Sequence, residues 1–595
     1  MNEKHPESIL KIMEKIGVSV LIFVFLILLG MFTLYTIQSY SSIIPSDYTQ
    51  SNPTQSNLTQ SNLTQSNLTQ SNLTQSNPTQ SNLTQSNLTQ SNLTQSNLTQ
   101  SNPTQSNLTQ SNLTQSNITQ SNLTKPNPAQ SNFIPSNETV YVAGDGKGDF
   151  NCDGIDDQIE INKALAYVAE NPEFATVYLK GSNTYVISDK IRIGNDTTLK
   201  GDPTAVIKLK DNAYWPHQSP LITQMNSSGN QNITITGFEI DGNYEGNTEK
   251  MRGDGYYNLI YFINCDNIHV CNMYMHDSHG DGLKIKDSKN IKFHDNRIYK
   301  LGHDGLYAIE CQDIEAWNNN VRCKTNSALR IWNSNHIKFH DNTIYTEFED
   351  DAGGPGIQIQ YIRTSEAQPM NDIEVYNNTI YDTYGPGIWL IAFGEPYSKT
   401  EAQNVHIHHN IFYGCGTHQT YDWLGGIVTS GFYDTLIENN VFDANYNAAV
   451  VYTYPTGSRY DVDFTPRGID GNCTTIVRNN IITNTLKRKY SPEGTGYGAI
   501  DNFPETHSFV LENNCLYNNY AGNYKNCTST TDIYTDPRFV NQHKHNYYLK
   551  QDSPCIGAGY TLLISSEVSY KKRIKSIISA FVSQTCRFFS VETSE

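Results

Sequence analysis

Lys284, Tyr307 and Arg330 follow one another at intervals of 23 residues. If 23 residues make one structural repeat, the three side chains fall into a single outward column. Two positions on, Lys286, Ile309 and Trp332 form an adjoining column, and the next repeat adds Gln358 and Gln360. Asp281 and Asp304 precede their repeats at a matching offset, beside His279 and His303. Two cations, a phenol and an indole on one solvent-facing ribbon suit an acidic sugar chain. β-Elimination from a uronate needs a cation to neutralise the carboxylate, a base to take the α-proton, and an acid for the leaving oxygen. Arg330 suits the first role, Lys284 the second if its neighbours depress its pKa, and Tyr307 the third. Hydrolysis needs two carboxyl groups instead. Side chains one coil apart lie about 5 Å apart, as in a retaining pair; two coils apart they lie about 9–10 Å apart, nearer an inverting one. Asp281 and Asp304 fit the first case, with Glu310, Glu347, Glu349, Asp350 and Asp351 as further carboxylates. Long polar side chains also simply solvate an exposed sheet, and turn aspartates bond backbone amides. The columns therefore admit a plain structural reading as well.

Insertions at 346–356, 392–403, 415–425, 453–470 and 485–498 lengthen the repeat and would wall one stretch of the molecule. They bring Tyr384, Trp389, Phe393, Tyr397, Tyr421, Trp423, Tyr452 and Tyr454, whose ring faces could stack on sugar C–H groups. Many tyrosines merely decorating strands is the rival reading. His406, His408 and His409 suggest a metal, but alternation sends His406 and His408 to one face with no evident carboxylate partner, which argues against one. A calcium motif is complete: Asp149, Asn151, Asp153 and Gly154, with Asp157 at the ninth position and Glu160 at the twelfth, match the EF-hand loop pattern. The alternative is that this segment only caps a helix. A Ca²⁺ here would be structural.

The elements that must hold these groups are short strands. Asn267-Ile268-His269-Val270, Asn290-Ile291-Lys292-Phe293, Asp313-Ile314-Glu315-Ala316 and His336-Ile337-Lys338-Phe339 place their isoleucines 23 residues apart, and the unit returns at Ile373, Val405, Leu436, Thr475 and Val510. Each copy continues through an Asn or Asp pair, a second short strand, a Gly-rich turn and a third strand. Three strands per period describe one coil of an all-β, single right-handed parallel β-helix, with inward Ile stacked on Ile. Asn318, Asn342, Asn378, Asn410, Asn440, Asn480 and Asn514 are placed to stack as a corner ladder, tolerating αL geometry and bonding the next coil. Leucine-rich repeats lack their consensus here, and a propeller needs periods of about 40 residues. Asp156 or Asp157 starts a helix whose Ile161, Leu165 and Val168 form one apolar face, a cap for the open end of the stack.

The rest of the chain is organised differently. Residues 16–37 carry no charge and are long enough to span a bilayer. Lys4, Lys11 and Lys15 precede them, and no Lys or Arg follows until Lys125, which sets the N-terminus inside and the remainder outside. The expected layout is a cytoplasmic tail (1–15), a single-pass signal-anchor helix in the cell membrane (16–37), a low-complexity Ser-Asn-Leu-Thr-Gln stalk (38–137), an extracellular β-helix (138–559) and a basic amphipathic tail (560–595). A cleaved signal peptide is disfavoured by the length of the apolar run. With one Leu per five residues the stalk cannot bury a core. Its sequons at Asn57, Asn62, Asn67, Asn72, Asn82, Asn87, Asn92, Asn97, Asn107, Asn112, Asn117 and Asn122 are glycosylation acceptors. A formal net charge of −18 argues against a nucleic-acid partner. Eleven cysteines give neither a metal-type cluster nor an assignable pairing.

The opening Gly144-Asp145-Gly146 and Asp153-Gly154-Ile155-Asp156-Asp157, with Thr184-Tyr185-Val186-Ile187, resemble the pectate-lyase-like superfamily. So do Asp536-Pro537-Arg538-Phe539 and Ser553-Pro554-Cys555-Ile556-Gly557-Ala558-Gly559 near the end. The combination is similar to β-helix surface proteins of methanogenic archaea, which include disaggregatases that break down a chondroitin-like wall polymer. That resemblance implies the fold, but its members are lyases, hydrolases, epimerases or non-catalytic surface modules. The expected function is therefore a cell-surface enzyme, foremost a lyase, on a uronic-acid-containing polysaccharide. Lys284, Tyr307, Arg330, Asp281 and Asp304 would be its catalytic set, and His279, His303, Trp332, Gln358, Gln360 and Trp389 would bind substrate. The alternatives are a glycoside hydrolase in the same groove and a glycan-binding adhesion module.

Overall fold

The computed structural model describes residues 139–556, apart from 248–256, 324–325, 347–353, 365–366, 395–397, 420, 455–472 and 491. The expected anchor, stalk with its sequons, C-terminal tail, acidic stretch 347–351 and Tyr397 lie outside the described residues. Among the described residues no helix is long and apolar enough to cross a membrane.

Short alternating segments form strands here because each can bury one face while its main chain bonds the coils on either side. Strands such as Asp266–Cys271, Tyr274–His276 and Leu283–Lys286 recur in that order, coil after coil. They build three parallel sheets of 14, 12 and 12 strands, wound as a right-handed β-helix. The first sheet stacks Ile233, Ile268, Ile291, Ile314, Ile337 and Ile373 in register. All six are at most 2% exposed, and burying each contributes about 2 kcal/mol of transfer free energy.

Beyond Val405 the expected column slips by one residue. Thr435, Thr475 and Phe509 continue the inward line, while Leu436 and Val510 face outward. A strand's side chains alternate, so a one-residue error exchanges the faces. Thr475 is inward as expected, and Thr435, with the shape of Val, holds the inward position that an apolar-letter search assigns to Leu436.

The corner ladder is present, with one member corrected. Asn296, Asn319, Asn342, Asn378, Asn410, Asn440, Asn480 and Asn514 each pass a side-chain N–H to the oxygen of the next, at 2.9–3.1 Å. Most also donate to a carbonyl inside the stack, as Asn342 does to Ala316 O at 3.0 Å. Asn318 belongs to a second row, one residue earlier, that takes the left-handed conformation: Asp295, Asn318, Asp341, Asn377, His409, Asn439, Asn479 and Asn513 have φ between 52° and 56°. Turning the chain and tying the coils are thus tasks of adjacent residues.

At the N-terminal end, α1 (Gln158–Glu170) buries Ile161, Ala164, Leu165 and Val168 over the first coils. Asp157, fully buried, accepts the N–H groups of Gly154 (2.8 Å), Asp153 (3.2 Å) and Val186 (2.7 Å), tying the loop before α1 to the coil. At the other end, the hairpin of Phe539–Asn541 and Asn546–Leu549 lies against the second sheet, where Tyr547 donates to Asp443 Oδ2 at 2.9 Å. A disulfide joins Cys515 to Cys555, and among the described residues six further cysteines are buried thiols.

Replacing Asn378 by Ala removes the buried bonds to Phe339 O and Asn410 and strands the groups that bonded it. A loss of about 2–4 kcal/mol is expected, read as a lower denaturant midpoint. Asn377→Gly, at an exposed left-handed position, should change stability by less than about 0.5 kcal/mol. On the second sheet, burial disfavours charge on His276, yet its hydrogen bond to Asp277 (2.7 Å) and the nearby Glu239 carboxylate (3.4 Å) raise its pKa from 6.5 to about 9. The stabilisation from this raised value is complete below about pH 6.5 and fades as pH climbs through about 9. His276→Gln should therefore lower the melting temperature at pH 6, by at most about 3 kcal/mol of stability, and match the wild type above pH 9 to 10.

Candidate functional site

Register pairs place Tyr261, Lys284, Tyr307, Arg330, Gln358 and Trp389 in one outward column of the third sheet. Lys286, Ile309, Trp332 and Gln360 make the column beside it. The columns are as the 23-residue period predicts, but their exposure is not. Lys284, Tyr307, Gln358 and Trp389 are at most 8% exposed, so most of the first column is covered, while Lys286, Ile309 and Trp332 beside it stay partly exposed. Neighbours a coil apart already hide each other's flanks. The Lys284 ammonium lies between the rings of Tyr261 (5.7 Å) and Tyr307 (5.0 Å), and the Arg330 guanidinium sits over the other side of Tyr307 at 4.3 Å.

Beside this column the turn residues Asn258, Asp281, Asp304 and Ser327 form a ladder of their own. Asn258 Oδ1 accepts the N–H of Asp281 (2.7 Å), Asp281 Oδ1 that of Asp304 (2.9 Å), and Asp304 Oδ1 that of Ser327 (2.9 Å). That is the turn-bonding role, and it uses one oxygen of each carboxylate. His303 Nδ1 approaches Asp281 Oδ1 (2.7 Å) and Asp304 Oδ2 (3.1 Å), and Arg330 Nη1 lies 3.4 Å from Asp304 Oδ2. The second oxygen of Asp281 has no hydrogen-bond partner among the described residues, although the carboxylate is fully buried.

Burial and charge act against each other in this group. Burial lifts the pKa of Asp304 above the usual carboxylate range, and His303 and Arg330 only partly offset it. Burial also opposes charging His303, but Asp304 and Asp281 outweigh it, so the imidazole is protonated more readily than usual. Asp281, His303 and Asp304 bring one ligand-type atom each within 4.8 Å of the others, a chain of proton carriers beside two fixed cations. Arg330 Nη2 also donates to Gln360 Oε1 (3.0 Å), and Ser327 Oγ to Gln358 Oε1 (3.1 Å), so both glutamines brace the cluster.

Other expected residues fall elsewhere. His279 pairs with Tyr257 OH at 2.9 Å and packs on Tyr244. Trp332 is partly exposed. Trp389 stacks on Trp423 at 4.2 Å, and Tyr421, His418 and Tyr384 extend the stack. Tyr384, Trp389, Phe393, Tyr421, Trp423, Tyr452 and Tyr454 are all at most 8% exposed. The expected open sugar platform is a packed aromatic wall, because rings this large gain more from one another than from water. Glu310 pairs with Lys286 at 2.9 Å. In the N-terminal loop, Asp149, Asn151 and Asp153 accept the main-chain N–H groups of Tyr141, Gly148 and Ile155, and Glu160 pairs with Lys163. His406 and His408 do have carboxylate partners: Glu438, one coil on, is 3.0 Å from His406, and Glu374, one coil back, is 3.2 Å from His408. The intervals to them are 32 and 34 residues, which hides them from a search for a 23-residue period.

Tyr261, Asn258 and Ser327 were open to that same search, each 23 residues from a member already singled out. So was Asn326, 23 residues after His303, whose amide lies 3.0 Å from His303 Nε2. Because Asp281 raises the pKa of His303, Asp281→Asn should lower it. Titration of the His303 imidazole by histidine-selective NMR checks this, and an unmoved value would mean that Asp304 alone sets it.

A family model of right-handed β-helix regions matches residues 258–420, and a model described as disaggregatase related matches 370–563. Pentapeptide repeats match 46–75, 54–90 and 86–124. No curated protein matches the sequence. Among solved structures, the mannuronan C-5 epimerase A-module of Azotobacter vinelandii is 18% identical, with 64% of this chain and 96% of that one covered and a TM-score of 0.41. The family 28 exopolygalacturonase of Yersinia enterocolitica is 13% identical over 67% and 79%, at 0.39. The surface protein and adhesin PfbA of Streptococcus pneumoniae is 12% identical over 63% and 96%, at 0.35. The chain is a right-handed parallel β-helix protein whose residues 370–563 match the disaggregatase-related model.

Proposed function

We propose that this protein is a polysaccharide lyase acting on a uronic-acid-containing polymer at the third-sheet columns. The observation that carries the reading is the meeting of Asp281, His303, Asp304 and Arg330 alongside the Lys284–Tyr307–Arg330 column. Arg330 and Lys284 would neutralise the uronate carboxylate. Lys284, held between two ring faces that attract an ammonium, serves better as a cation than as the base. Proton removal then falls to His303, oriented by two carboxylates, and Tyr307 would protonate the leaving oxygen. In the same proposal residues 16–37 anchor the chain in the cell membrane and the glycosylated stalk carries the domain outward.

A glycoside hydrolase is the second reading. It is favoured by Asp304, which burial keeps readily protonated as a general acid, next to a second carboxylate whose outer oxygen is without a partner among the described residues. The disaggregatase-related match and the resemblance to archaeal wall-degrading proteins make a chondroitin-like polymer the first substrate to test.

Incubating the full chain with chondroitin-like and pectin-like polymers separates the possibilities. Elimination raises both the ultraviolet absorbance of an unsaturated uronate and the count of reducing ends, whereas hydrolysis raises only the latter. Arg330→Ala and Asp304→Asn should each lower kcat/KM by about 10²–10³, with Lys338→Ala on the first sheet unchanged. Retained binding without any cleavage would overturn the enzyme and leave an adhesion module.

A further inference from the structure

We propose that His269, Cys271 and His294 form a site for one divalent transition-metal ion of the zinc class, bridging two successive coils on the first sheet. His269 and Cys271 are two residues apart on the strand Asp266–Cys271, so both point outward. Register places His294 directly over Cys271 in the next coil. One donor atom from each of the three lies within 4.8 Å of the others.

The imidazoles already face each other through the nitrogens a metal would take, Nε2 to Nε2 at 2.5 Å. His294 Nδ1 lies 2.6 Å from Asp295 Oδ2. That carboxylate fixes the tautomer and turns the Nε2 lone pair toward His269, the usual arrangement behind a metal-bound histidine. The His294 ring is held in plane against Trp317, at 3.9 Å and 13°. A shared proton can serve only one such pair of nitrogens and leaves the thiol of Cys271 out, whereas a metal ion engages all three donors. Tetrahedral ligation at about 2.0–2.1 Å sets the two nitrogens about 3.3 Å apart, so the rings need part by less than about 1 Å.

The donor set decides the ion. One thiolate and two imidazoles select zinc or another borderline-soft metal over calcium or magnesium. Cys271, 5% exposed, has Thr236 Oγ1 at 3.3 Å as its other neighbour. Three protein ligands leave a fourth position for water. The competing cluster, Glu374, His406 and His408, is less well disposed. Its supporting carboxylate Glu438 is held by Arg478 at 2.7 Å, and Glu374 lies 4.0 Å from Lys338.

The test uses the full chain, freed of metal by a chelator and titrated with Zn²⁺ or Co²⁺. One equivalent should bind, the Co²⁺ form should show a near-ultraviolet thiolate-to-metal charge-transfer band, and Zn²⁺ should raise the melting temperature. Cys271→Ser should abolish the band and the thermal shift, and His294→Gln should weaken Zn²⁺ binding by at least about 100-fold. Asp295→Asn should weaken it by about 10-fold or more, while Glu374→Gln leaves it unchanged. Circular dichroism checks each variant, and if Cys271→Ser does not fold, the partly exposed His269→Asn takes its place with the same loss of Zn²⁺ binding expected. A charge-transfer band that survives Cys271→Ser, undiminished zinc binding in His294→Gln, or loss of binding in Glu374→Gln would each overturn the assignment.

Discussion

Parallel main-chain hydrogen bonds hold each coil about 4.8 Å from the next, and the side chains must accept that distance everywhere. A residue's closest partner is its counterpart one repeat away, so every column has to be compatible with itself. Inside, isoleucine on isoleucine meets the demand by dispersion and burial. At the corner, asparagine on asparagine meets it because an amide both donates and accepts, so an unbroken file of identical residues satisfies every member. Outside, the first sheet alternates Lys292, Glu315, Lys338 and Glu374 along one column, since like charges at that spacing would repel. Beside it His294, Trp317, His340, Tyr376 and His408 stack ring on ring.

The third sheet departs from this economy. Its column sets Lys284 and Arg330 on either side of one phenol, and its turns place Asp281 directly before Asp304 with a histidine between them. Buried carboxylates one coil apart are costly unless a proton or cation intervenes. Here His303 and Arg330 supply that compensation, while Asn258, Ser327, Gln358 and Gln360 brace the group. A purely structural corner needs none of these charges, as the asparagine ladder shows on the same solenoid. The contrast is the physical ground for reading chemistry at this place, and it rests on residues of this chain alone.

Where the sequence reading slipped, it slipped by one residue or by one property. Leu436 and Val510 stand next to the true inward residues Thr435 and Phe509, and Asn318 stands next to the ladder's Asn319. A polar Thr inside and an apolar Leu outside invert the letters on which parity is judged. Outward direction was also taken to mean exposure. In a stack this tight a side chain can point away from the axis and still be covered, as Tyr307 and Trp389 are.

The sequence alone determined the period, and with it the solenoid, the isoleucine column, the capping helix and the membership of the Lys284 and Lys286 columns. Those follow from local repetition, because in a one-dimensional stack equal intervals along the chain become contacts in space. Only the tertiary structure decided which residues meet across unequal intervals, such as His406 with Glu438, and which outward groups are buried. It alone turned His269, Cys271 and His294 into one cluster. Insertions break the period and side-chain torsions are not periodic, so the direction in which a donor atom points is settled by packing and cannot be read from spacing.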